Sequence, residues 1–259
     1  MTHPTGTSTA LHILGVPIHD ISCAEALERI AVWIHSGGAH QIATVNPEFV
    51  MAARRNPAFR AVLTQADLCL PDGVGITLAA RWLGRPLRER VAGVELVERL
   101  ARRAALTGWR IFFLGAAPGV AERAAQALAT RYPGLVVCGT WAGSPAAAEE
   151  AHIARRVRDA RADVLLVAYG APAQDMWLAR NLARSGAAVG IGVGGSFDYL
   201  AGVVRRAPLW VCRLGFEWLY RLLRQPRRWR RQLALPQFAI LVLLQRLRQG
   251  RPLPGPTIT

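Results

Sequence analysis

The chain has 259 residues, of which 52% are hydrophobic, and it carries a net charge of +15. This length and hydrophobic content suit one large α/β domain, or one domain with an appendage, and they exclude a chain that is disordered throughout. All 32 basic residues are arginines, whose guanidinium groups stay charged and bind phosphates in a bidentate way. The N-terminal stretch "MTHPTGTSTALHILGVPIHD" lacks the positive region and the long apolar run of a signal peptide.

The first half of the chain predicts short strands that alternate with helices. "LHILGVPIHDIS" predicts two short strands, after which Ser22 and Glu25 are placed to form the capping box of the helix "CAEALERIAVWIHSG". "QIATVN" predicts a strand, and "PEFVMAARRNPAFRAVLTQA" predicts a helix interrupted at Pro57. "DLCL" predicts another short strand, which ends at the turn "PDGVG".

The second half continues the alternation. Helices are predicted at "GVELVERLARRAALTG", after the loop "GAAPG", at "PAAAEEAHIARRVRDAR" and at "APAQDMWLARNLARSG". Strands are predicted at "WRIFFLG", "LVVCGTWAG", "ADVLLVAYG" and "AAVGIGVGG". This alternation predicts a Rossmann-like α/β fold, with a mostly parallel sheet and helices on both of its faces. The cysteines Cys23, Cys69, Cys138 and Cys212 are far apart and form no CxxC pair, which indicates buried thiols of a reducing compartment.

The character of the sequence changes at Arg205. Residues 205–259 hold 12 arginines against one acid, Glu217, so this segment alone carries +11. We therefore divide the chain into a catalytic domain, residues 1–204, and an arginine-rich helical appendage, residues 205–259, whose charge suits a polyanionic partner. Residues 233–247 are apolar but too short to span a bilayer. They are predicted either to lie on a membrane surface or to pack on the sheet, and the sequence leaves both alternatives open.

Asp72 is the carboxylate that most resembles a reactive group. It follows an apolar strand and stands between Pro71 and the glycines Gly73 and Gly75. A carboxylate in such a turn is either a helix cap or the base of a reaction. Asn46, which directly precedes Pro47, is predicted to cap the next helix.

Two loops after predicted strands are placed to contact a ligand. Gly115 and Gly119 bound the loop "GAAPG", which would direct backbone N–H groups and a helix N-terminus at an anion. This loop matches neither GxGxxG nor the Walker pattern, and by itself it is better explained by glycines that serve packing alone. Gln174 and Asp175 open a later helix. Asp175 is predicted to cap it, whereas the Gln174 amide is a candidate for binding a sugar or a phosphate.

Several sequence blocks, taken in order, resemble glycosyltransferase family 26, the TagA/WecG/CpsF family. The blocks include "TVNPEFV", "ADLCLPDGVGITLAARWLG", "DVLLVAYGAPAQDMWLARN", "GIGVGGSFDYLAGVVRRAPLW" and "GFEWLYRLLRQPRRWRR". The resemblance covers residues 11–232. It implies an inverting transferase that moves a sugar, of the N-acetylmannosamine type or a related hexose, from a UDP-sugar donor. The acceptor would be a sugar on a polyprenyl diphosphate, in cell-surface polysaccharide biosynthesis on the cytoplasmic face of the bacterial plasma membrane.

The resemblance also assigns residues. It makes Asp72 the general base, because an inverting transferase uses one carboxylate to take the proton of the attacking hydroxyl. It places Thr44, Asn46 and Gln174 in the same catalytic pocket. It implies no cofactor and no metal, and the sequence has no D-x-D motif to bind one. The negative charge of the leaving diphosphate would then be stabilised by backbone N–H groups, helix N-termini and arginines. The substrate-binding residues would be Gly73, Gly75, Arg90, Gly115, Gly119, Arg205, Arg206, Arg221 and Arg224.

Two other classes compete with this interpretation. The charge of +15 suggests a nucleic-acid-binding protein, but no RRM or helix-turn-helix signature is visible and the basic segment carries leucine and tryptophan stripes. A Rossmann-like sheet suggests a nicotinamide-dependent oxidoreductase, but the glycine loop "GAAPG" does not match the GxGxxG fingerprint. We therefore expect an anionic membrane surface and no nucleic acid as a partner. The sequence leaves the donated sugar, the accepting sugar and the oligomeric state open.

Overall fold

The structure is a computed structural model that describes residues 10–205, 207–208, 211, 219–220 and 233–249. Its strands are β1 Leu11–Ile13, β2 Val16–Ile18, β3 His40–Val45, β4 Leu68–Pro71, β5 Arg110–Gly115, β6 Val136–Trp141, β7 Val164–Ala168 and β8 Val189–Gly192. Its helices are α1 Cys23–Ser36, α2 Pro47–Arg55, α3 Pro57–Gln65, α4 Val74–Trp82, α5 Gly93–Thr107, α6 Val120–Arg131, α7 Ala147–Asp159, α8 Ala173–Ser185, α9 Ser196–Leu200 and α10 Ala234–Arg248.

Six parallel strands form the central sheet in the order β4-β3-β8-β7-β5-β6, and β1 and β2 form a separate antiparallel hairpin. The Rossmann-like prediction is therefore confirmed. Side chains alternate between the two faces of each strand. On β3, Ile42 joins the core shared with α1, α5, α6 and α9, whereas Ala43 joins the core shared with α2, α3 and α4.

The central sheet has a switch point between β5 and β7. The helix after β5, α6, packs into one core, and the helix after β7, α8, packs into the core on the opposite face. The two loops therefore diverge at the carboxyl ends of neighbouring strands. In open α/β sheets such a divergence leaves the crevice in which ligands bind.

Local signals in the sequence explain several helix boundaries. Ser22 and Glu25 form the predicted capping box of α1. The break at Pro57 is confirmed: Asn56 ends α2 and its side chain caps α3. The thiols of Cys23, Cys69 and Cys138 are free, and burial raises the pKa of each. The prediction for Cys212 lies outside the described residues.

Helix α10 packs on the catalytic domain. Phe238 and Val242 are buried in the core that contains α2 and α4. The Gln245 side chain accepts from the Leu14 N–H at 2.8 Å and donates to the His12 carbonyl at 2.9 Å, which attaches the helix to the hairpin. Of the two alternatives for residues 233–247, packing therefore describes the inner face of α10. Its outer face still exposes Ile240, Leu244 and Leu247. Within the described ranges, no helix is long and apolar enough to cross a membrane.

Candidate active site

Asp72 stands where β4 ends, fixed against the end of β3. Pro71 pairs with Val45, and the Asp72 N–H donates to the Val45 carbonyl at 2.8 Å. Gly73, with φ of +89°, makes the turn into α4 and supplies no side-chain cap. A Cβ on Gly75 would lie 2.6 Å from Cγ of Pro47, so only glycine lets α4 approach α2 this closely. Asp72 is a half-buried residue whose backbone is thus held near the start of α2.

Thr44 and Asn46 come from the end of β3. The Thr44 hydroxyl donates to the Gly192 carbonyl at 2.9 Å and is buried. The Asn46 side chain accepts from the Phe49 N–H at 3.1 Å, which confirms the predicted cap of α2. Both side chains therefore hold elements together at the edge of the sheet that carries Asp72.

The backbone next to Arg90 is hydrogen-bonded to the same edge of the sheet. The Val91 N–H donates to the Pro71 carbonyl at 2.9 Å, which brings the segment of Arg90 next to Asp72. The guanidinium of Arg90 lies 3.8 Å from the Glu95 carboxylate, and its side chain is about one-fifth exposed at 21%. The positively charged Arg90 thus directly precedes Val91, the residue whose N–H is bonded to the end of β4.

The first residue of helix α5 packs next to Thr44, in the group of residues around Asp72. A Cβ on Gly93, the first residue of α5, would lie 3.5 Å from the Thr44 hydroxyl and 3.3 Å from the Ser196 hydroxyl. Ser196 starts α9 and is buried, with its hydroxyl donating to the Val193 carbonyl at 2.7 Å. Sequence reasoning assigned no role to Gly93 or Ser196. The signal that was present is the Gly-Gly-Ser sequence after β8, which is also compatible with a simple turn.

Gln174 connects the second half of the site. Its amide oxygen accepts from the Gly170 N–H at 3.2 Å and from the Gly194 N–H at 2.9 Å, and the residue is fully buried. It therefore joins the loop after β7 to the loop after β8. Because Thr44 bonds Gly192, the loop after β8 connects Gln174 to the group around Asp72.

Asp175 does not cap α8, so that prediction is wrong. The N-cap is Pro172, α8 has no side-chain cap, and neither buried carboxyl oxygen of Asp175 makes a hydrogen bond of standard geometry in the described part of the chain. Burial raises the pKa of Asp175 to about 7, although the neighbouring Gln174 amide and the backbone act in the opposite direction. The carboxyl group of Asp175 points inward, toward Gly192. A Cβ built on Gly192 would lie 2.7 Å from Oδ1 of Asp175.

The loop of residues 115–119 borders the crevice at the switch point. Gly115 has a φ of +101°, and a Cβ there would lie 2.9 Å from the backbone of Ala168, so this glycine serves close packing of β5 on β7. Gly119, with φ of +78°, is the N-cap of α6 and provides no side chain to cap it. Packing therefore explains Gly115, and Gly119 leaves the first N–H groups of α6 without a side-chain cap.

The helices around the site differ in how they begin. Helices α1, α2 and α3 have side-chain caps from Ser22, Asn46 and Asn56. Helices α4, α5, α6 and α8 have no side-chain cap hydrogen bond. The first N–H groups of a helix have no partner within it, and together with the helix dipole they favour an anion. Four helix starts at or near the carboxyl edge of the sheet can therefore contribute positive potential.

The predicted site residues fall into two groups and a remainder. Thr44, Asn46, Asp72, Gly73, Gly75 and Arg90 meet at the ends of β3 and β4, and Gln174, Gly115 and Gly119 lie around β5, β7 and β8. Arg205 is exposed. The predictions for Arg206, Arg221 and Arg224 lie outside the described residues. In the portion of the chain that is described, no cluster of three His, Cys, Asp or Glu residues is arranged to hold a metal ion.

Comparison with known proteins shows the family of the chain. The family model described as "Glycosyl transferase WecG/TagA/CpsF family" matches residues 11–252. The chain belongs to the WecG/TagA/CpsF family of glycosyltransferases. The family blocks found in the sequence therefore identify it correctly, and the protein is a glycosyltransferase rather than a nicotinamide-dependent oxidoreductase.

Curated relatives within the family share most of its length. A protein of Bacillus spizizenii (strain ATCC 23059 / NRRL B-14472 / W23) is 36% identical over 82% of this chain and 81% of its own. One from Bacillus subtilis (strain 168) is 35% identical over 78% of both chains, and one from Staphylococcus aureus (strain MW2) is 30% identical over 92% and 94%. Each is named N-acetylglucosaminyldiphosphoundecaprenol N-acetyl-beta-D-mannosaminyltransferase.

Proposed function

We propose that this glycosyltransferase moves a sugar of the N-acetylmannosamine type from a UDP-sugar to a sugar carried on a polyprenyl diphosphate. The names of the three relatives supply the transferred sugar and the class of acceptor. Such a product belongs to the synthesis of cell-surface polysaccharides. Because the acceptor has a long lipid chain, the enzyme would act as a peripheral protein on the cytoplasmic face of the plasma membrane.

The observation that carries the mechanism is the placement of Asp72. Asp72 is half-buried at the end of β4, and the backbone there is bonded to the segment of Arg90 and to the end of β3. As general base, Asp72 takes the proton from the acceptor hydroxyl while the hydroxyl oxygen attacks C1 of the donor sugar. The bond between C1 and the diphosphate oxygen breaks, and its electron pair leaves with UDP. Attack from the side opposite the leaving group inverts the anomeric centre.

The leaving diphosphate needs positive potential that is already in place. The uncapped starts of α4, α5 and α6 provide backbone N–H groups, and Arg90 provides a charge. Groups fixed in advance stabilise developing charge without the cost of reorganisation. We assign Gly73, Gly75, Gly115 and Gly119 to the backbone turns that bring these N–H groups to the donor, and the arginines Arg205, Arg206, Arg221 and Arg224 to the diphosphates.

A donor screen tests the proposal. The intact protein is incubated with a synthetic prenyl-diphosphate N-acetylglucosamine acceptor and, one at a time, with a panel of UDP- and GDP-sugars. We expect transfer from UDP-N-acetylmannosamine or a related UDP-hexose, with an inverted anomeric centre in the product and undiminished turnover in EDTA. Transfer from GDP-sugars alone, or loss of turnover in EDTA that Mn²⁺ or Mg²⁺ restores, would contradict the donor class or the metal independence.

A further inference from the structure

A buried polar network lies beneath the first turn of α8. The Gln41 side chain, from β3, donates to the backbone carbonyl of Asp175 at 3.0 Å. Gln174 holds Gly170 and Gly194 through its amide oxygen, and Asp175 adds a carboxyl group with no exposed surface. Polar groups buried in a core lower stability unless their hydrogen bonds are satisfied. A fold alone would be served better by apolar residues at these positions.

Gly192 shows how close the two unsatisfied groups are to each other. A Cβ on Gly192 would lie 2.7 Å from Oδ1 of Asp175 and 2.7 Å from Nε2 of Gln174. Both atoms therefore lie on the side of Gly192 where a side chain would be, in space that only a glycine leaves open. Neither has a hydrogen-bond partner at standard geometry in the described part of the chain. One is a donor and the other an acceptor, so a small rotation of either side chain would join them.

The orientation of the Gln174 amide depends on such an acceptor. Two backbone N–H groups, of Gly170 and Gly194, converge on the amide oxygen. If the amide were turned over, its NH₂ group would face both of these donors and lose both hydrogen bonds. A carboxyl group beside Nε2 favours the correct orientation because it accepts from the NH₂ group. The Asp175 carboxyl group has this place.

We propose that Asp175 is a positioning residue for sugar transfer: when the donor occupies the crevice, its carboxyl group accepts from Nε2 of Gln174 and fixes the amide that holds the two glycine loops. The proposal rests on the proposed function, since it assigns the loops after β7 and β8 to the donor pocket. Asp175 acts through Gln174 and is too deeply buried to touch the substrate. The loop after β8 follows directly on Gly192, the last residue of β8, to whose carbonyl the Thr44 hydroxyl donates, so a displaced loop would disturb both halves of the site.

Proton linkage gives this role a signature that simple packing lacks. Burial raises the pKa of Asp175 to about 7, so a fraction of the protein carries the neutral acid near neutral pH. Donor binding that engages the ionised carboxylate releases this proton, and affinity for the donor then rises with pH through that range. The groups of neighbouring elements that face Asp175 are Gln41 of β3, the backbone of Gly192 on β8, and Cys69 of β4. Burial keeps the Cys69 thiol neutral.

The test compares Asp175→Leu and Asp175→Asn with the intact wild-type chain. Calorimetry with a UDP-sugar in the absence of acceptor measures affinity between pH 6 and pH 8, and steady-state assays separate KM from kcat. A UDP-sugar is used because its diphosphate diester does not titrate in this range. We expect Asp175→Leu to weaken donor binding about ten- to a hundredfold, the effect of losing a hydrogen bond to a charged group. Asp175→Asn retains an acceptor, so it should bind within about threefold of wild type and lose the pH dependence.

Ser185→Ala is the matched control, because Ser185 is equally buried at the far end of α8 and bonds only locally. It should lower stability without changing donor affinity. Normal donor binding by Asp175→Leu, or wild-type pH dependence in Asp175→Asn, overturns the proposal. If Asp175→Leu fails to fold, the pH profile of Asp175→Asn still decides. A wild-type protein that binds no UDP-sugar at all contradicts the proposed function instead.

Discussion

The backbone N–H of Asp72 donates to the carbonyl oxygen of Val45 at 2.8 Å, one residue beyond the last paired residues of β3 and β4. This bond extends the strand pairing into the turn. The backbone that carries the Asp72 side chain is therefore held by the sheet and not by a free loop. A base must lie within hydrogen-bond reach of the proton that it removes, and a fixed turn provides that distance in every catalytic cycle.

Replacing Asp72 with asparagine tests its role as the base. Asp72→Asn keeps the backbone bond to Val45 and nearly the same side-chain shape, but the amide does not accept a proton. We expect turnover to fall roughly 10²–10⁴-fold, with donor affinity close to that of wild type. Steady-state transfer assays measure the first effect and calorimetry with UDP the second. Near-normal turnover of this variant would leave Asp72 a structural role only.

Gly75 sets the distance between α4 and α2. In Gly75→Ala, the new Cβ would lie 2.6 Å from Cγ of Pro47, whose ring is tied to the backbone and cannot move aside. The helices must separate, and we expect a loss of about 1–3 kcal/mol in the free energy of unfolding. Turnover should fall as well, because Asp72 stands at the start of α4. Leu78→Ala, on the exposed part of the same helix, is the control, and chemical denaturation measures both variants. Equal stability of Gly75→Ala and wild type would show that α4 shifts without cost.

The sequence predicts those features that depend on neighbouring residues. The capping box of Ser22 and Glu25 and the Asn46 cap before Pro47 are local, and each is present as predicted. Asp72 was found because its turn combines an acid with two glycines, and the family resemblance then selected the base from the two readings.

Features that depend on distant contacts were not predicted. Asp175 has the right position in the chain for a cap, but contact with Gly192 draws its carboxyl group into the core. Gly93 and Ser196 are about a hundred residues apart and meet only because α5 and α9 lie side by side above the same strands. Neither periodicity nor turn chemistry reports a contact of that kind.

Phe238 tests how strongly α10 is attached to the catalytic domain. It is 4% exposed and packs in the core with α2 and α4. We expect Phe238→Ala to lower the free energy of unfolding by about 3–5 kcal/mol, because it leaves a cavity in that core. Ile240→Ala, on the exposed side of the same helix, should change it by less than about 0.5 kcal/mol. Similar small effects of both substitutions in urea unfolding would indicate that α10 is not part of the packed domain.

Asp175 also predicts how stability depends on pH. Its pKa is raised by burial to about 7, from an ordinary value of 3.8, so the folded protein binds a proton that the unfolded chain has already lost. The contribution of this group to stability is therefore complete below about pH 4 and is lost as the pH rises toward 7. Asp175→Asn cannot titrate. We expect the stability difference between the two proteins to shift in favour of Asp175→Asn between pH 5 and pH 8 in denaturant unfolding, and a constant difference would contradict the assignment.

The last prediction concerns four arginines of residues 205–259 that lie outside the described residues. Arg221, Arg224, Arg228 and Arg231 recur at spacings of three, four and three in a segment with a single acid. Each arginine near an anionic surface contributes about 1 kcal/mol to membrane binding. We propose that some of the four hold a diphosphate and that the others lie among lipid headgroups.

Substitution within the full-length chain tests this better than truncation, because removal of the appendage would also uncover the core that Phe238 fills. A variant with all four arginines changed to glutamine should no longer sediment with anionic liposomes, while it still binds UDP. The control carries the same charge change at exposed arginines of the catalytic domain, Arg54, Arg60, Arg123 and Arg155. Salt near about 0.5 M should release the wild-type protein from the liposomes, since screening shortens the reach of exposed charges. If the appendage variant still sediments and the control does not, the membrane-binding surface lies on the catalytic domain instead.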